Sequence, residues 1–344
     1  GNIKDLFGPL GNYTGITGGE SSGGLGWFAF WISSVGLITR GGSSCNCGSA
    51  GIFSVGTVED SSFSSIGFRC TYHPPSICPA NYVLVRPLLP YTTKPFCIAQ
   101  FEAKKSGTGP GAVGVSQAAG LPWVNITRDD ARTACTNNDT GYGLITNAEW
   151  QTVANNIEGL ATNWSGGSIG NGSIHRGHSD VDSSSPALSV SNINNPYDQT
   201  GNSSGDNVGS GREQKRTHDL PDGIIWDFAG NTAEWVNDSN STNFGSDSYV
   251  SQITNGSHTD TGSFGSVVGT AKTFFGARGD YSSQNSGEYG GLGWAKISTV
   301  GGAIYRGGTR SDGVQAGILS VGTDLNGNSS TNSHVGFRCV YRPN

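Results

Sequence analysis

The sequence contains no methionine and little charge. Only 13% of its 344 residues are charged, and the formal net charge is −6. A chain with this balance has no basic surface for nucleic acid, so we predict no nucleic-acid partner. Long hydrophobic runs are missing as well, because no apolar stretch approaches the roughly 18 residues that a membrane-spanning helix needs. We therefore expect no membrane span.

Glycine is the most prominent residue that the sequence does contain, with 55 copies. Glycine and asparagine adopt the positive-φ conformations of tight turns. Eight Trp, 11 Tyr and 14 Phe supply large apolar side chains for a core, which separates this chain from disordered ones of similar polarity. The composition predicts a folded, turn-rich protein of short strands.

Seven cysteines and the missing initiator methionine point to a processed product in an oxidising compartment. We expect an extracellular or cell-surface protein, processed from a secreted precursor. Ten Asn-x-Ser/Thr sequons are candidates for glycosylation. They begin at Asn12, Asn125, Asn138, Asn163, Asn171, Asn202, Asn237, Asn240, Asn255 and Asn328.

The clearest internal signal is a repeat between the two ends of the chain. AGIFSVGT at 50–57 returns as AGILSVGT at 316–323, and GFRC at 67–70 returns at 336–339. The middle of the chain has no second copy. Residues 1–74 are therefore predicted to be a partial, β-rich repeat of the C-terminal part, which is the last part of a domain whose beginning is missing.

A proline-rich segment at 75–95 follows the repeat, and it is predicted to be a linker or an irregular edge strand. A strand is expected at 96–102, where apolar and polar residues roughly alternate. Two helices follow. The first begins near Thr127, and the second begins at Thr146, where Glu149 completes a capping box. Later, short apolar runs alternate with turns, so the mixture predicts an α+β fold with long loops.

Four motifs occur in order along the C-terminal part: LITNAEW at 144–150, WDFAGNTAEW at 226–235, YRGGT at 305–309 and GFRC at 336–339. Together they resemble the formylglycine-generating enzyme family, also called the sulfatase-modifying-factor domain. The resemblance covers roughly residues 78–344. It implies a variant C-type-lectin-like fold for residues 96–344, of the α+β class with few helices, short antiparallel strands and long loops.

The resemblance also implies a calcium ion in the turn of the second motif. Its ligands would be the side chains of Asp227 and Glu234 and the carbonyl oxygens of Gly230 and Thr232. This set suits a hard cation, which prefers carboxylate and carbonyl oxygens converging from a tight turn. The alternative is that Asp227 and Glu234 only cap turns.

Catalytic members of the family carry a cysteine pair just after the Arg-Gly-Gly motif and use it to bind copper and activate oxygen. The corresponding stretch at 308–314, GTRSDGV, contains no cysteine. A soft metal such as Cu(I) needs thiolate ligands. We therefore predict that the chain is not an enzyme, and a copper-dependent formylglycine-generating oxidase is only a remote alternative.

Cysteine pairing follows partly from the resemblance, which implies a disulfide between Cys135 and Cys339. Cys78 and Cys97 flank one short segment and are natural partners. The N-terminal repeat holds the other three: Cys45, Cys47 and Cys70. Three cysteines cannot all pair among themselves, so one is free, modified or joined to another chain.

A further group of polar residues lies at His175, His178, Asp180 and Asp182. Such a group could suggest a metal cluster. It lies in a Gly/Ser-rich stretch without helical spacing, however, so a solvent-facing loop is the preferred interpretation.

Two functional hypotheses remain. In the first, the chain is an extracellular structural subunit that assembles head-to-tail with copies of itself into a filament or layer. A partial domain of short strands has apolar faces and open edges that need a surface, so residues 1–74 are expected at the subunit contact, with Phe28, Phe30 and Trp31. In the second, the chain is a surface protein that binds a glycan or protein ligand, lectin-like or diversified by a retroelement, with 310–334 as the variable stretch.

Overall fold

The structure is a computed structural model. It describes residues 77–181, 183–200, 214–238, 275–279, 291–293, 302–324, 326–327 and 329–343, together with the backbone of short strands at 28–29, 37–40, 55–58, 206–207, 212–213, 239 and 295–296. The chain divides into two compact units, Gly1–Pro74 and Pro75–Asn344.

Two helices lie in the described part of the second unit, α1 (Arg128–Thr136) and α2 (Asn147–Glu158). Thr127 caps α1, because its hydroxyl accepts a hydrogen bond from the backbone N–H of Asp130. Thr146 and Glu149 form the capping box of α2. Both predicted helix starts are confirmed. Neither helix is long and apolar enough to cross a membrane, nor is any other described one.

One sheet of the second unit has the strand order β4–β5–β18–β8. Its strands are β4 (Tyr82–Val85), β5 (Phe96–Ala99), β18 (Cys339–Tyr341) and β8 (Tyr142–Leu144), and all neighbours are antiparallel. The proline-rich segment at 75–95 therefore contributes an edge strand to the second unit. It is not a free linker, because β4 pairs with β5 along its whole length.

A second sheet has the order β14–β16–β15–β13–β17. Its strands are β14 (Ala295–Lys296), β16 (Val321–Asp324), β15 (Ala303–Arg306), β13 (Ala233–Ser239) and β17 (Val335–Phe337). β13 is antiparallel to β15 and parallel to β17. β13 begins within the WDFAGNTAEW motif, so the end of this motif lies in an interior strand of the sheet.

Three short hairpins complete the described strands of the second unit. They are β6 (Ala103–Ser106) with β7 (Val113–Ser116), β9 (Asp206–Asn207) with β10 (Arg212–Glu213), and β11 (Thr217–Leu220) with β12 (Gly223–Trp226). The described structure thus combines few helices with short, mainly antiparallel strands. The predicted α+β class is confirmed at this level.

The N-terminal unit contains a three-stranded sheet in the order β1–β3–β2, formed by β1 (Phe28–Ala29), β2 (Leu37–Arg40) and β3 (Val55–Val58). β1 is parallel to β3, and β2 is antiparallel to it. β14, β16 and β15 are arranged in the same way. Even the register agrees, because Arg40 lies opposite Val55 as Arg306 lies opposite Val321. The side chains of Phe28, Phe30 and Trp31 lie outside the described residues.

Buried tryptophans join the sheets to the helices. Trp150 of α2 stacks on Phe228 with ring centroids 4.0 Å apart, and its indole N–H donates to the carbonyl oxygen of Ile318. Trp235 of β13 donates its indole N–H to the carbonyl oxygen of Ile126. Each ring buries a large apolar area while its one polar atom is satisfied, so the motif tryptophans are core residues.

Candidate functional site

The turn between β12 and β13 has an unusual backbone. Asp227, Gly230 and Asn231 all have positive φ, at 51°, 76° and 58°. Only Gly, Asn and Asp adopt this region readily. A Cβ added at Gly230 would lie 2.7 Å from the carbonyl oxygen of His178, so glycine is required where the turn meets that loop. The motif therefore encodes one tightly packed turn.

Asp227 forms a bidentate ion pair with Arg216. The guanidinium Nε donates to Oδ1 at 2.8 Å, and Nη2 donates to Oδ2 at 2.7 Å. The side chains are 0% and 3% exposed. The remaining Nη1 donates to the carbonyl oxygens of Ser189 and Asp198. Both carboxylate oxygens of the first predicted calcium ligand are thus held by a guanidinium group.

Glu234 is engaged in the same way by Arg338. Nη2 of Arg338 donates to Oε1 at 2.7 Å, and Nε lies 3.1–3.2 Å from both carboxylate oxygens. The guanidinium also donates to the carbonyl oxygens of Ala99 and Trp226. Burial raises the pKa of Glu234, while the positive charge of Arg338 opposes the rise.

Glu102 is a third buried carboxylate beneath the turn. Its oxygens accept hydrogen bonds from Asn231 Nδ2 at 2.6 Å and from the backbone N–H and hydroxyl of Thr232 at 3.0 and 2.5 Å. Burial, followed by the negative charge of Asp227, raises the pKa of Glu102 to about 7. Burial also lowers the pKa of nearby Lys104.

These side chains form a buried charge network with as many basic as acidic members. Its members are Glu102, Asp227, Glu234, Lys104, Arg216 and Arg338. With three charges of each sign, the network is already neutral when every group is ionised. Sequence reasoning named two of the six as site residues and missed the other four, which lie outside the WDFAGNTAEW motif.

Calcium does not fit the four implied ligands in this arrangement. Both carboxylates of the set, Asp227 and Glu234, already bind guanidinium groups. A divalent cation added to a neutral, buried network would leave two positive charges uncompensated, which is costly. It would also compete with Arg216 and Arg338 for the same oxygens. The charge balance thus argues against the calcium ion that the resemblance implies, and calcium depletion is the test of it.

The YRGGT motif contributes a further buried guanidinium group, that of Arg306. Nε of Arg306 donates to the carbonyl oxygen of Ser320 at 2.9 Å, and the other nitrogens reach the side-chain oxygens of Asn147 and Gln151 on α2. The guanidinium also lies 5.8 Å from the ring centre of Trp150. Arg306 thus ties the second sheet to the LITNAEW helix.

The His175–Asp180 stretch is not a solvent-facing loop, contrary to the expectation from its Gly/Ser-rich surroundings. His175 and His178 are only 3% and 7% exposed, because the loop packs against the turn at 226–235. The described members of the stretch do not form a metal-binding group, and Asp182 lies outside the described residues.

Two cysteine pairs lie at disulfide distance. Cys78 and Cys97 have an S–S distance of 2.06 Å, and Cys135 and Cys339 have one of 2.04 Å. The second pair joins α1 to β18 of the first sheet. These are the two predicted pairings. The predicted odd cysteine lies outside the described residues, among Cys45, Cys47 and Cys70.

Five of the ten sequons lie among the described residues. Asn125, Asn171 and Asn237 are exposed, and Asn138 is partly buried. Asn163 is fully buried, and its Nδ2 donates to the carbonyl oxygens of Ile157 and Asp219. A glycan on this nitrogen does not fit the folded chain. The others lie outside the described residues: Asn12, Asn202, Asn240, Asn255 and Asn328.

Comparison with known proteins adds no relative. No family model matches the chain, and no curated protein matches it. The likeness to the formylglycine-generating enzyme family therefore rests on the four sequence motifs alone.

Proposed function

We propose that the chain is a non-catalytic structural subunit of the cell surface that assembles head-to-tail with copies of itself. The observation that carries the proposal is the shared strand order and register of the N-terminal sheet and the β14–β16–β15 part of the second sheet. One chain therefore contains two versions of one three-stranded arrangement.

The two versions differ at one edge. In the second unit, β15 has β16 on one side and β13 on the other. Its counterpart β2 has only β3 as a neighbour among the described strands. An edge strand offers unpaired N–H and C=O groups to an incoming strand. Residues 1–74 contain no second copy of the WDFAGNTAEW motif that leads into β13.

A second copy of this chain is the proposed occupant of the β2 edge. A contact between the N-terminal unit of one copy and the second unit of the next is heterologous, so it propagates into a ring or an open filament. The small net charge of −6 over 344 residues makes repulsion between copies weak.

Hydrogen–deuterium exchange on the full chain at rising concentration tests this proposal. Amides of Leu37–Arg40 should gain protection as copies associate. The matched control is Val55 and Gly56 of β3, because these two residues already have β1 on one side and β2 on the other and should change little. Light scattering gives the mass, and electron microscopy gives the form. A full chain that stays monomeric at high concentration, or β2 amides that never gain protection, would contradict the proposal.

We also propose that Pro75–Asn344 has the C-type-lectin-like fold of the formylglycine-generating enzyme family without its chemistry. The buried turn at 226–235 and the Cys135–Cys339 pair support the fold, and the cysteine-free stretch at 308–314 supports the absence of catalysis. Disulfide-distance pairs support an extracellular location. A copper-dependent conversion of a cysteine-containing peptide by the purified chain would contradict the non-catalytic part.

Ligand binding at the cell surface is the second candidate function. The observation that favours it is that Arg310 Nη1, His178 Nε2 and His334 Nδ1, on three loops that meet the turn at 226–235, have no hydrogen-bond partner. Calorimetric titration of the purified chain with small acidic and neutral sugars tests this second candidate.

A further inference from the structure

The segment at 174–181, called the strap below, lies against the turn at 226–235. The N–H of Asn231 in the turn donates to the strap carbonyl oxygen of His178 at 2.6 Å. Two more backbone hydrogen bonds tie the end of the strap to the loop after β15. They join Gly313 N–H to the carbonyl oxygen of Ser179, at 2.7 Å, and Val181 N–H to that of Arg310, at 3.0 Å. The three donor amides therefore report whether the strap is in place.

A side chain also holds the strap, the imidazole of His218 on β11. Its Nε2 lies 2.8 Å from the carbonyl oxygen of His175. A carbonyl oxygen can only accept a hydrogen bond, so Nε2 carries the proton and Nδ1 of the neutral ring carries none. His218 is fully buried, and its Nδ1 has no hydrogen-bond partner. The contact between β11 and the strap is thus made by a neutral histidine.

The buried site of His218 does not accommodate the protonated ring. A second ring proton would create an N–H donor at Nδ1, where the structure supplies no acceptor, and would place a positive charge in the core. Burial, then the positive charge of His175, lowers the pKa of His218 from 6.5 to about 3. When the strap opens, the ring meets water and regains its ordinary pKa. Acid therefore favours the open form.

The charged groups around His218 do not reverse this preference. Lys215 and Arg338 are positive and lower its pKa further, and the strap adds the positive charge of Arg176. The carboxylate of Asp219, the next residue of β11, points to the opposite face of the strand. Helix α2 packs against β11, and the carboxylate of its Glu158 accepts hydrogen bonds from two backbone N–H groups.

Two other buried groups near the strap titrate in opposite senses. Burial, then the positive charge of Arg216, lowers the pKa of His178 to about 4, so acid acts on His178 as it acts on His218. Burial, then the negative charge of Asp227, raises the pKa of Glu102 to about 7, so acid favours the fold at Glu102. The effect of His218 is therefore best measured as a difference between two proteins that share both groups.

We propose that His218 is an acid-sensitive switch that releases the strap from the turn at 226–235. The open form binds more protons than the closed form below pH 6.5, so the stability of the closed form is lost as the pH falls from there. One proton taken up at this ring should raise the opening equilibrium constant about tenfold per pH unit, or about 100-fold at pH 4.5. The switch uses only residues of the second unit and does not rest on self-assembly.

Amide hydrogen exchange of the full chain at pH 7.5, 5.5 and 4.5, corrected for the intrinsic pH dependence of exchange, measures the opening. The amides of Asn231, Gly313 and Val181 should lose protection in acid. Val340 in the interior strand β18 reports unfolding of the whole unit, and its amide should change at least tenfold less. Strap amides that keep their protection at pH 4.5, or that lose it in parallel with Val340, would overturn the proposal.

A variant of His218 assigns the effect to this ring. His218→Gln keeps an N–H donor for the carbonyl oxygen of His175 but does not titrate, so the acid-induced opening should be at least tenfold smaller than in the unchanged chain. His334→Gln, which removes a partly exposed histidine outside the strap, is the control and should open as the unchanged chain does. An opening in folded His218→Gln as large as in the control would overturn the assignment.

Hydrogen exchange at the imidazole C2 position of the unchanged chain gives the pKa of His218 without any variant, and it serves if His218→Gln does not fold. A pKa that is not lowered from 6.5 would overturn the proposal as well.

Discussion

Removal of the Arg338 guanidinium should destabilise the second unit strongly. Arg338→Met keeps most of the side-chain volume but leaves the carboxylate of Glu234 buried without its partner, which costs about 3–5 kcal/mol. The carbonyl oxygens of Ala99 and Trp226 also lose a donor. Because whole domains are stable by only about 5–15 kcal/mol, this one change should remove a large part of the stability.

Removing both charges should be less harmful than removing one. In the double variant Arg338→Met, Glu234→Met no charge is left unpaired, so about 1–3 kcal/mol of the loss should remain, for the orphaned carbonyl groups. Arg132→Met, which breaks a half-exposed pair with Asp129, is the control and should cost less than about 1 kcal/mol.

Urea unfolding followed by tryptophan fluorescence measures these differences under non-reducing conditions. The pH adds a second readout for Arg338→Met. Burial already raises the pKa of Glu234, and removal of Arg338 should raise it further. Protonated Glu234 should therefore be tolerated in the fold at low pH. The free energy of unfolding that Arg338→Met loses should grow as the pH rises through the folded-state pKa of Glu234. An Arg338→Met variant as stable as the control, or a double variant that loses as much stability as Arg338→Met, would refute the reasoning.

Three further predictions concern the same unit. Separate replacement of each disulfide by alanine pairs should cost about 5 kcal/mol for Cys135–Cys339 and about 3 kcal/mol for Cys78–Cys97, because the sequence separations are 204 and 19; equal denaturant midpoints would contradict this. Since the pKa of Glu102 is raised to about 7 from 4.5, its contribution to stability should be lost as the pH rises between these values, and Glu102→Gln should flatten the pH profile of melting. Fully calcium-depleted protein should melt at the same temperature with and without added calcium, and a rise of several degrees on adding calcium would restore the ion to the turn.

Local signals in the sequence predicted more of the fold than of the site. Thr127 and Thr146 stand at the helix starts because a cap depends on residues three positions apart. The repeat likewise predicts matching strands, because its two copies pair in the same register. The buried ion pairs could not be found in this way, because Glu234 and Arg338 are 104 residues apart. One signal was available, since Arg338 interrupts the otherwise apolar run from Val335 to Tyr341, and a charge within a buried segment needs a partner.

The loop at 175–181 escaped prediction for a related reason. Its Gly/Ser-rich composition is typical of exposed loops, yet Gly177 and Gly230 allow two backbones to approach more closely than any side chain permits. Glycine there serves packing, and composition alone cannot separate this use from solvent exposure. The proline-rich composition of residues 75–95 does not distinguish a linker from an edge strand, because proline suits both.

The Cys135–Cys339 link has a mechanical consequence. Tension applied to the chain at Phe96 and Tyr341 passes from α1 across the sulfur atoms into β18, and it bypasses every residue in between. With a sequence separation of 204, about 700 Å of extended chain is locked out of the load path. A protease cut within the bypassed part also leaves its two pieces covalently joined. A chain built in this way can bear load and lose a loop while its two ends stay covalently connected.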